Sequence, residues 1–252
     1  LLNLKTQNAL ENMSPQKVFL PSKFLMVVFL ALATSGCALV AGGRSTLLTP
    51  GVRGGSPLQR SQGWGWLALC RTGPKQWALI PAATETRLIR DGKRGQPGSK
   101  MRHEILSNRP EALCLLRHRE VGPGSVVPAD FNSAQPLGFD LLKSMGSGVP
   151  VVCSIDAYRL GAVHSAGEPS RYTLQVSVNE RAPVVLEEFE RGGEPAFERA
   201  LLIWAGDLNR DGVADFLIER SSSGWKTRNL YLSRKAGESY QRAGMDAWEE
   251  NP

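Results

Sequence analysis

The sequence predicts a mainly β domain, an antiparallel meander or sandwich-like fold, and three observations lead there. Short apolar runs recur between clusters of turn residues. Glycine (26) and proline (16) are frequent, and long amphipathic helical patterns are absent. One segment, RYTLQVSVN at 171–179, alternates cleanly, with Tyr172, Leu174, Val176 and Val178 on one face and Thr173, Gln175 and Ser177 on the other. Successive strand side chains point to opposite faces, so one face of this segment is core and the other is wet.

The chain opens with an address. Lys17 and Lys23 precede FLMVVFLALA at 24–33, a run too short to span a bilayer, and the small residues Thr34, Ser35 and Gly36 follow before Cys37. That is the pattern of a signal peptide over 1–36. Met13 stands at a sensible distance before the apolar core, so residues 1–12 read as a mis-assigned start. The ATSGC ending resembles the lipobox of bacterial lipoproteins. The resemblance implies that the Cys37 thiol is acylated and the leader cut just before it, giving a membrane anchor rather than a span. Each buried acyl CH2 contributes about 0.8 kcal/mol, so several chains hold where one is marginal. Ala38, where an aspartate would retain a lipoprotein at the inner membrane, implies an outer-membrane location facing the periplasm. Over 37–62 the composition turns to Gly, Ser, Pro and Arg without periodicity, and a flexible tether is expected.

From Gly63 onward strand signals dominate: WGWLALC at 64–70, QWALIP at 76–81 and ETRLIR at 85–90. DGKRGQPGSK at 91–100 is a turn-rich basic connection that lacks the GxxxxGK[ST] spacing of a phosphate loop. EALCLLRHRE at 111–120 fits a strand or a single helix, and periodicity does not arbitrate at that length. These make a first β-rich half, 63–128. A joint with one short helix at 137–145 leads to a second β-rich half, 149–245. There VPVVCSI, RYTLQVSVN and APVVLEEFE are strands, RALLIWA and DFLIER flank an acidic loop, and TRNLYLS closes the series.

The acidic loop carries the most chemistry. In WAGDLNRDGVADFLIE, Asp207, Asn209, Asp211 and Asp215 occupy loop places 1, 3, 5 and 9, and Gly212 occupies place 6. Oxygen ligands at alternating places of a coiled loop converge on one point. A backbone carbonyl at place 7, here Val213, completes the pattern of a calcium site. With three carboxylates close together, the metal-free loop is self-repulsive unless a cation intervenes. The competing reading turns Arg210 inward and lets the asparagine and aspartates cap their own turn.

GDLNRDGVAD resembles the loop of FG-GAP and VCBS-type repeats, in which DxNxDGxxD joins two strands and binds Ca2+. By that resemblance Asp207, Asn209, Asp211 and Asp215 are side-chain ligands and Val213 a carbonyl ligand. Ile218 stands at place 12, where an EF-hand has its bidentate glutamate, and β-type segments replace the flanking helices. A single copy does not support a propeller of such repeats.

The remaining candidates are weaker. Cys70, Cys114 and Cys153 each sit in an apolar run and read as buried thiols, with Cys70–Cys114 the first choice if a disulfide forms. His103, His118 and His164 are isolated, and neither a CxxC nor a GxSxG occurs. Glu187, Glu188 and Glu190 in LEEFE suggest paired carboxylates in one reading; on a strand Glu188 and Glu190 share an outward face, and a solvated edge is the plainer one. Trp64, Trp66, Trp77, Tyr158 and Tyr172 are core and rim residues in one reading and an aromatic platform for sugar or peptide in the other. The arginines are scattered, so nucleic acid is not an expected partner despite a formal charge of +6. The expectation is a non-enzymatic envelope lipoprotein, with a β-rich binding or structural domain stabilised by calcium, that meets a protein or glycan partner. The alternative is an envelope hydrolase or carbohydrate-binding protein whose site is assembled from residues distant in sequence; a polar cleft with converging titratable groups would favour it.

Overall fold

Nine antiparallel strands curl into a near-closed barrel in the computed structural model, sweeping through 309°. The structure describes residues 46–53, 63–90, 101–131, 138–143, 148–153, 156–165, 168–179, 181–190, 198–222, 224–234 and 238–249. In chain order the strands are β1 (Thr46–Leu48), β2 (Gly51–Arg53), β3 (Gly63–Gly73), β4 (Gln76–Arg90), β5 (Met101–Ser107), β6 (Cys114–Arg117), β7 (Gly124–Pro128), β8 (Asp130–Phe131) and β9 (Phe139–Asp140). They continue with β10 (Val149–Cys153), β11 (Asp156–Ser165), β12 (Glu168–Val178), β13 (Val184–Glu190), β14 (Arg199–Asp207), β15 (Asp215–Ser222), β16 (Trp225–Arg234) and β17 (Ser239–Glu249).

The barrel order is β1-β6-β3-β4-β7-β14-β15-β16-β17; β5 extends the sheet from β4 and itself pairs β2, while β9 pairs β14. A separate five-stranded sheet runs β13-β12-β11-β10-β8.

Side-chain parity shows how the layers form. Leu47, Leu69, Leu79, Cys114, Leu116, Val126, Trp204, Leu217, Leu230, Leu232 and Ala243 make one buried cluster to which every one of the nine strands contributes. A core shared by all strands of a curled sheet is its interior. Their odd-or-even neighbours point outward. Phe216, Ile218, Tyr231, Ala200 and Leu202 pack against Leu160, Tyr172, Leu174 and Val176 of the five-stranded sheet. On the opposite wall Leu48, Trp66, Ala68, Cys70 and Leu115 form a smaller cluster with Ile105 of β5. β15 is therefore buried on both faces, from Asp215 to Arg220. A register shift between Leu202 and Trp204 switches parity, sending Leu202 to the intersheet core and Trp204 into the barrel.

The barrel corrects the sandwich-like meander with a discrete calcium loop expected from sequence. Strands of both expected halves close it: β7 pairs β14, and β1 lies beside β17. The halves 63–128 and 149–245 thus share one core, within the compact unit Arg44–Pro252. Thr46–Leu48 and Gly51–Arg53, inside the stretch expected to be tether, pair β6 and β5 respectively. The runs at 76–81 and 85–90 are one strand, β4. The helix expected at 137–145 gives way, where described, to β9 and a turn, and β17 follows the strand expected to be last. The buried face Tyr172, Leu174, Val176 and Val178 is as the alternation indicates. Cys70, Cys114 and Cys153 are buried free thiols. Cys114 points into the barrel and Cys70 outward, so a Cys70–Cys114 bridge would have to pass through the sheet. The leader, Cys37 and the first part of the tether lie outside the described residues.

Candidate functional site: the acidic clasp between β14 and β15

The segment from Asp207 to Asp215 joins two paired strands at the rim of the barrel and has one anchor in each core. Leu208 sits in the barrel interior, while Val213 and Ala214 sit between the barrel and the five-stranded sheet. Two left-handed residues let the chain turn back so tightly: Arg210 at φ 62° and Gly212 at φ 85°. Glycine takes that conformation without strain; arginine does not.

The carboxylates are occupied by the loop's own backbone. Asp207 accepts the N–H groups of Asp211 (3.1 Å) and Gly212 (3.0 Å). Asp215 Oδ2 accepts from Leu208 (2.7 Å) and Asn209 (3.3 Å), and its Oδ1 accepts from Ser233 N–H on β16 (2.8 Å). Asp211 Oδ1 accepts from Val213 N–H (2.9 Å), and its Oδ2 takes the Ser233 hydroxyl (2.5 Å) and Asn209 Nδ2 (3.1 Å). Asn209 Oδ1 accepts from Asp211 N–H (3.3 Å). Asp215 is wholly buried, and desolvation pushes its carboxyl up to about 8 even though three backbone N–H groups pull the other way.

Two further contacts tie the loop to distant chain. Ala214 N–H donates to Tyr158 Oη on β11 (3.1 Å), linking the loop to the five-stranded sheet. Arg210 reaches across to the loop before β7 and donates to the carbonyls of Pro123 (2.7 Å) and Gly122 (3.4 Å). Its guanidinium lies so close over Gly124 that a Cβ there would fall 2.7 Å from Nη2. Arg210 is thus directed away from the carboxylates and does not neutralise them.

Of the sequence-predicted residues, Asp207, Asn209, Asp211 and Asp215 do share one hydrogen-bonded loop, and Val213 anchors it by its buried side chain. Among the described residues, no three His, Cys, Asp or Glu side chains are grouped as a metal ion needs. The self-capping geometry is therefore present, without the inward Arg210 that was expected to accompany it. Cys37 lies outside the described residues. The aromatic platform is not formed: Trp66, Tyr158 and Tyr172 are buried in the core.

A second polar constellation gathers around Glu187, an acid the sequence offered only as a member of LEEFE and without these partners. Glu187, on β13, accepts hydrogen bonds from Tyr231 Oη and Asn229 Nδ2 (3.3 Å) and pairs with Arg220 (3.2 Å) and Arg242 (3.4 Å). It pins the edge of the five-stranded sheet to the barrel wall. The alternation of β15 and β16 already places Arg220, Asn229 and Tyr231 on one face, the signal that could have found it.

No family model matches the chain, and neither a curated protein nor a solved structure matches it.

Proposed function

We propose that this β domain is the exposed part of a lipid-anchored protein of the bacterial cell envelope, that it binds or scaffolds rather than catalyses, and that its acidic clasp takes Ca2+. The leader ending in ATSGC supports the location and assigns the anchor to Cys37. One observation carries the cation: Asp207, Asp211 and Asp215 share a loop whose own arginine is spent on the carbonyls of Gly122 and Pro123. Asp207 Oδ1 and Oδ2, Asp211 Oδ1 and Asp215 Oδ1 each accept one N–H and keep a second lone pair, so capping and ligation are compatible at those oxygens. Asn209 is half-buried and Asp211 exposed, which leaves an approach from solvent. As turn caps the three carboxylates are not grouped as a metal ion needs, so binding would draw Asp207, Asp211 and Asp215 together; with Asn209 and the Val213 carbonyl they would then hold the ion, and its charge would relieve the repulsion among the acids.

The role is structural. The loop joins β7, β11, β14, β15 and β16 through Arg210, Tyr158 and Ser233, so tightening it stiffens the junction of the two sheets. Thermal melts with Ca2+ and with chelator test this. At free Ca2+ about 100-fold above Kd the native state gains about 2.7 kcal/mol, and Asp211→Asn should abolish the gain. A melt unchanged by chelator removes calcium from the account. Incorporation of labelled fatty acid, lost in Cys37→Ala, tests the anchor separately; a wild-type chain that takes up no label sinks it.

A further inference from the structure

A cavity of about 480 Å3 opens where the turn after β9 meets the start of β14 and the strand β12. Asp140, Leu142, Lys143, Tyr172, Glu198 and Arg199 line it. It involves neither Cys37 nor the acidic clasp, and it falls in the size range of small-ligand sites.

The floor is rigid. Asp140 Oδ1 accepts the N–H groups of Leu142 (3.1 Å) and Ala200 (3.3 Å), which fixes a carboxylate whose side chain is only 7% exposed. Its Oδ2 stands 3.7 Å from Arg199 Nε, near enough to balance charge but too far for a hydrogen bond. That oxygen can accept from a ligand. Tyr172 is stacked on Phe189 with centroids 5.6 Å apart and is flanked by His164 at 4.8 Å, so it cannot swing aside. Glu198, Lys143 and Arg199 are exposed around the rim.

Charge selects the class of ligand. Among the described residues two carboxylates and two cations line the cavity, so an anion meets Asp140 and Glu198, and a cation meets Lys143 and Arg199. A zwitterion needs its two charges served by separate subsites, but here Arg199 is already beside Asp140 and the signs are interleaved. Hydroxyl groups both donate and accept, and suit fixed acceptors and donors set side by side. Half-buried Leu142 adds apolar surface for C–H groups, and wholly buried Tyr172 backs it from beneath. From this we infer that the cavity binds a neutral saccharide unit, with Asp140 and Glu198 accepting from its hydroxyls and Lys143 and Arg199 donating to them.

The test is calorimetric titration of the full chain with neutral disaccharides (cellobiose, chitobiose, maltose), alongside glycine, lysine and inorganic phosphate. At least one disaccharide should bind. A Lys143→Ala/Glu198→Ala double variant should weaken it at least about tenfold, a 1.4 kcal/mol change, while a Val185→Ala control binds as wild type. Both positions of the double variant are exposed, so its melting temperature should move by no more than about 2 °C. Binding of none of the disaccharides, tighter binding of an amino acid or of phosphate, or undiminished binding by the double variant overturns the inference.

Discussion

Arg228 Nε lies 2.7 Å from Glu219 Oε2, a buried ion pair on the inner wall of the barrel. The same guanidinium donates to the Leu113 carbonyl (3.1 Å), reaches Thr49 Oγ1 (3.5 Å) and stands over the Trp248 ring. It therefore spans the seam where, among the described residues, β1 and β17 adjoin without a hydrogen-bonded ladder, a gap that Asp246 also bridges by accepting Thr49 N–H (2.7 Å). Removing one member of a buried pair typically costs about 3–5 kcal/mol; here Lys226 Nζ, 3.8 Å from Glu219 Oε1, still offsets part of the remaining charge and places the cost at the lower end. Arg228→Met should lower stability by that order in urea denaturation. Glu219→Leu combined with Arg228→Met should cost less than Arg228→Met alone. If the single and double variants unfold alike, the pair is not what closes the seam.

Gly244 of β17 faces Leu47 of β1 across that seam. A Cβ at this position would lie 2.8 Å from Leu47 Cβ, where both backbones are held by neighbouring strands. Gly244→Ala should therefore push β1 off the barrel, at a cost of about 1–3 kcal/mol for overpacking. Limited proteolysis near residues 46–53 should become faster in the variant; an unchanged cleavage rate would show that β1 yields without detaching.

Arg210 combines a backbone cost with a side-chain gain. Its left-handed φ of 62° disfavours any residue with a Cβ by about 1 kcal/mol, whereas its bonds to Pro123 and Gly122 hold the loop against the β7 turn. Arg210→Ala keeps the cost and loses the gain, and should destabilise by about 1 kcal/mol. Arg210→Gly loses both and should fall nearer to wild type. Equal urea midpoints for the two variants would show that the backbone is unstrained here.

His118 gives the fold an acid-side sensitivity. Burial holds its imidazole below the ordinary value of 6.5, against the pull of Glu120, and its Nδ1 accepts Glu120 N–H at 3.2 Å. Arg234 and Arg119 also face it and disfavour a second positive charge. Between the native value and 6.5 the unfolded chain binds more protons than the folded one, so the contribution is fully present above 6.5 and is lost as pH falls through that interval. His118→Gln should flatten this part of the stability profile between pH 5 and 7. A variant with the same acid-side slope as wild type would place the sensitivity elsewhere.

The cysteines should be chemically silent in the folded state. Burial pushes the thiols of Cys70 to about 11 and Cys114 to about 12, and only thiolate reacts readily. A thiol reagent should leave Cys70, Cys114 and Cys153 unmodified until denaturant is added. Fast labelling of any of the three in the native protein contradicts the packing described.

Local pattern carried the strands; closure was beyond it. The face Tyr172–Leu174–Val176–Val178 could be read because a strand with one wet side alternates. β15 could not be assigned a face, since FLI at 216–218 is apolar at every position and serves two cores. Closure depends on strands far apart in the chain, β7 with β14 and β1 beside β17, and on register shifts such as those at Leu202/Trp204 and Leu230/Tyr231 that interrupt the alternation. β1 was hidden in a Gly- and Pro-rich stretch, where only Leu47 and Leu48 hint at burial. The acidic loop was found because its spacing is local. The direction of Arg210 was not, because its acceptors lie 87 and 88 residues away in sequence.

The two-sided burial of β15 bears on how the molecule comes apart. One face belongs to the barrel and the other to the five-stranded sheet, so neither layer can melt and leave the other with an intact wall. Amides of Phe216, Leu217 and Ile218 should be the last to exchange with deuterated solvent, at rates tracking global unfolding rather than local opening. The chain would then denature as one cooperative unit, and a break anywhere along this shared wall would be felt by both layers at once.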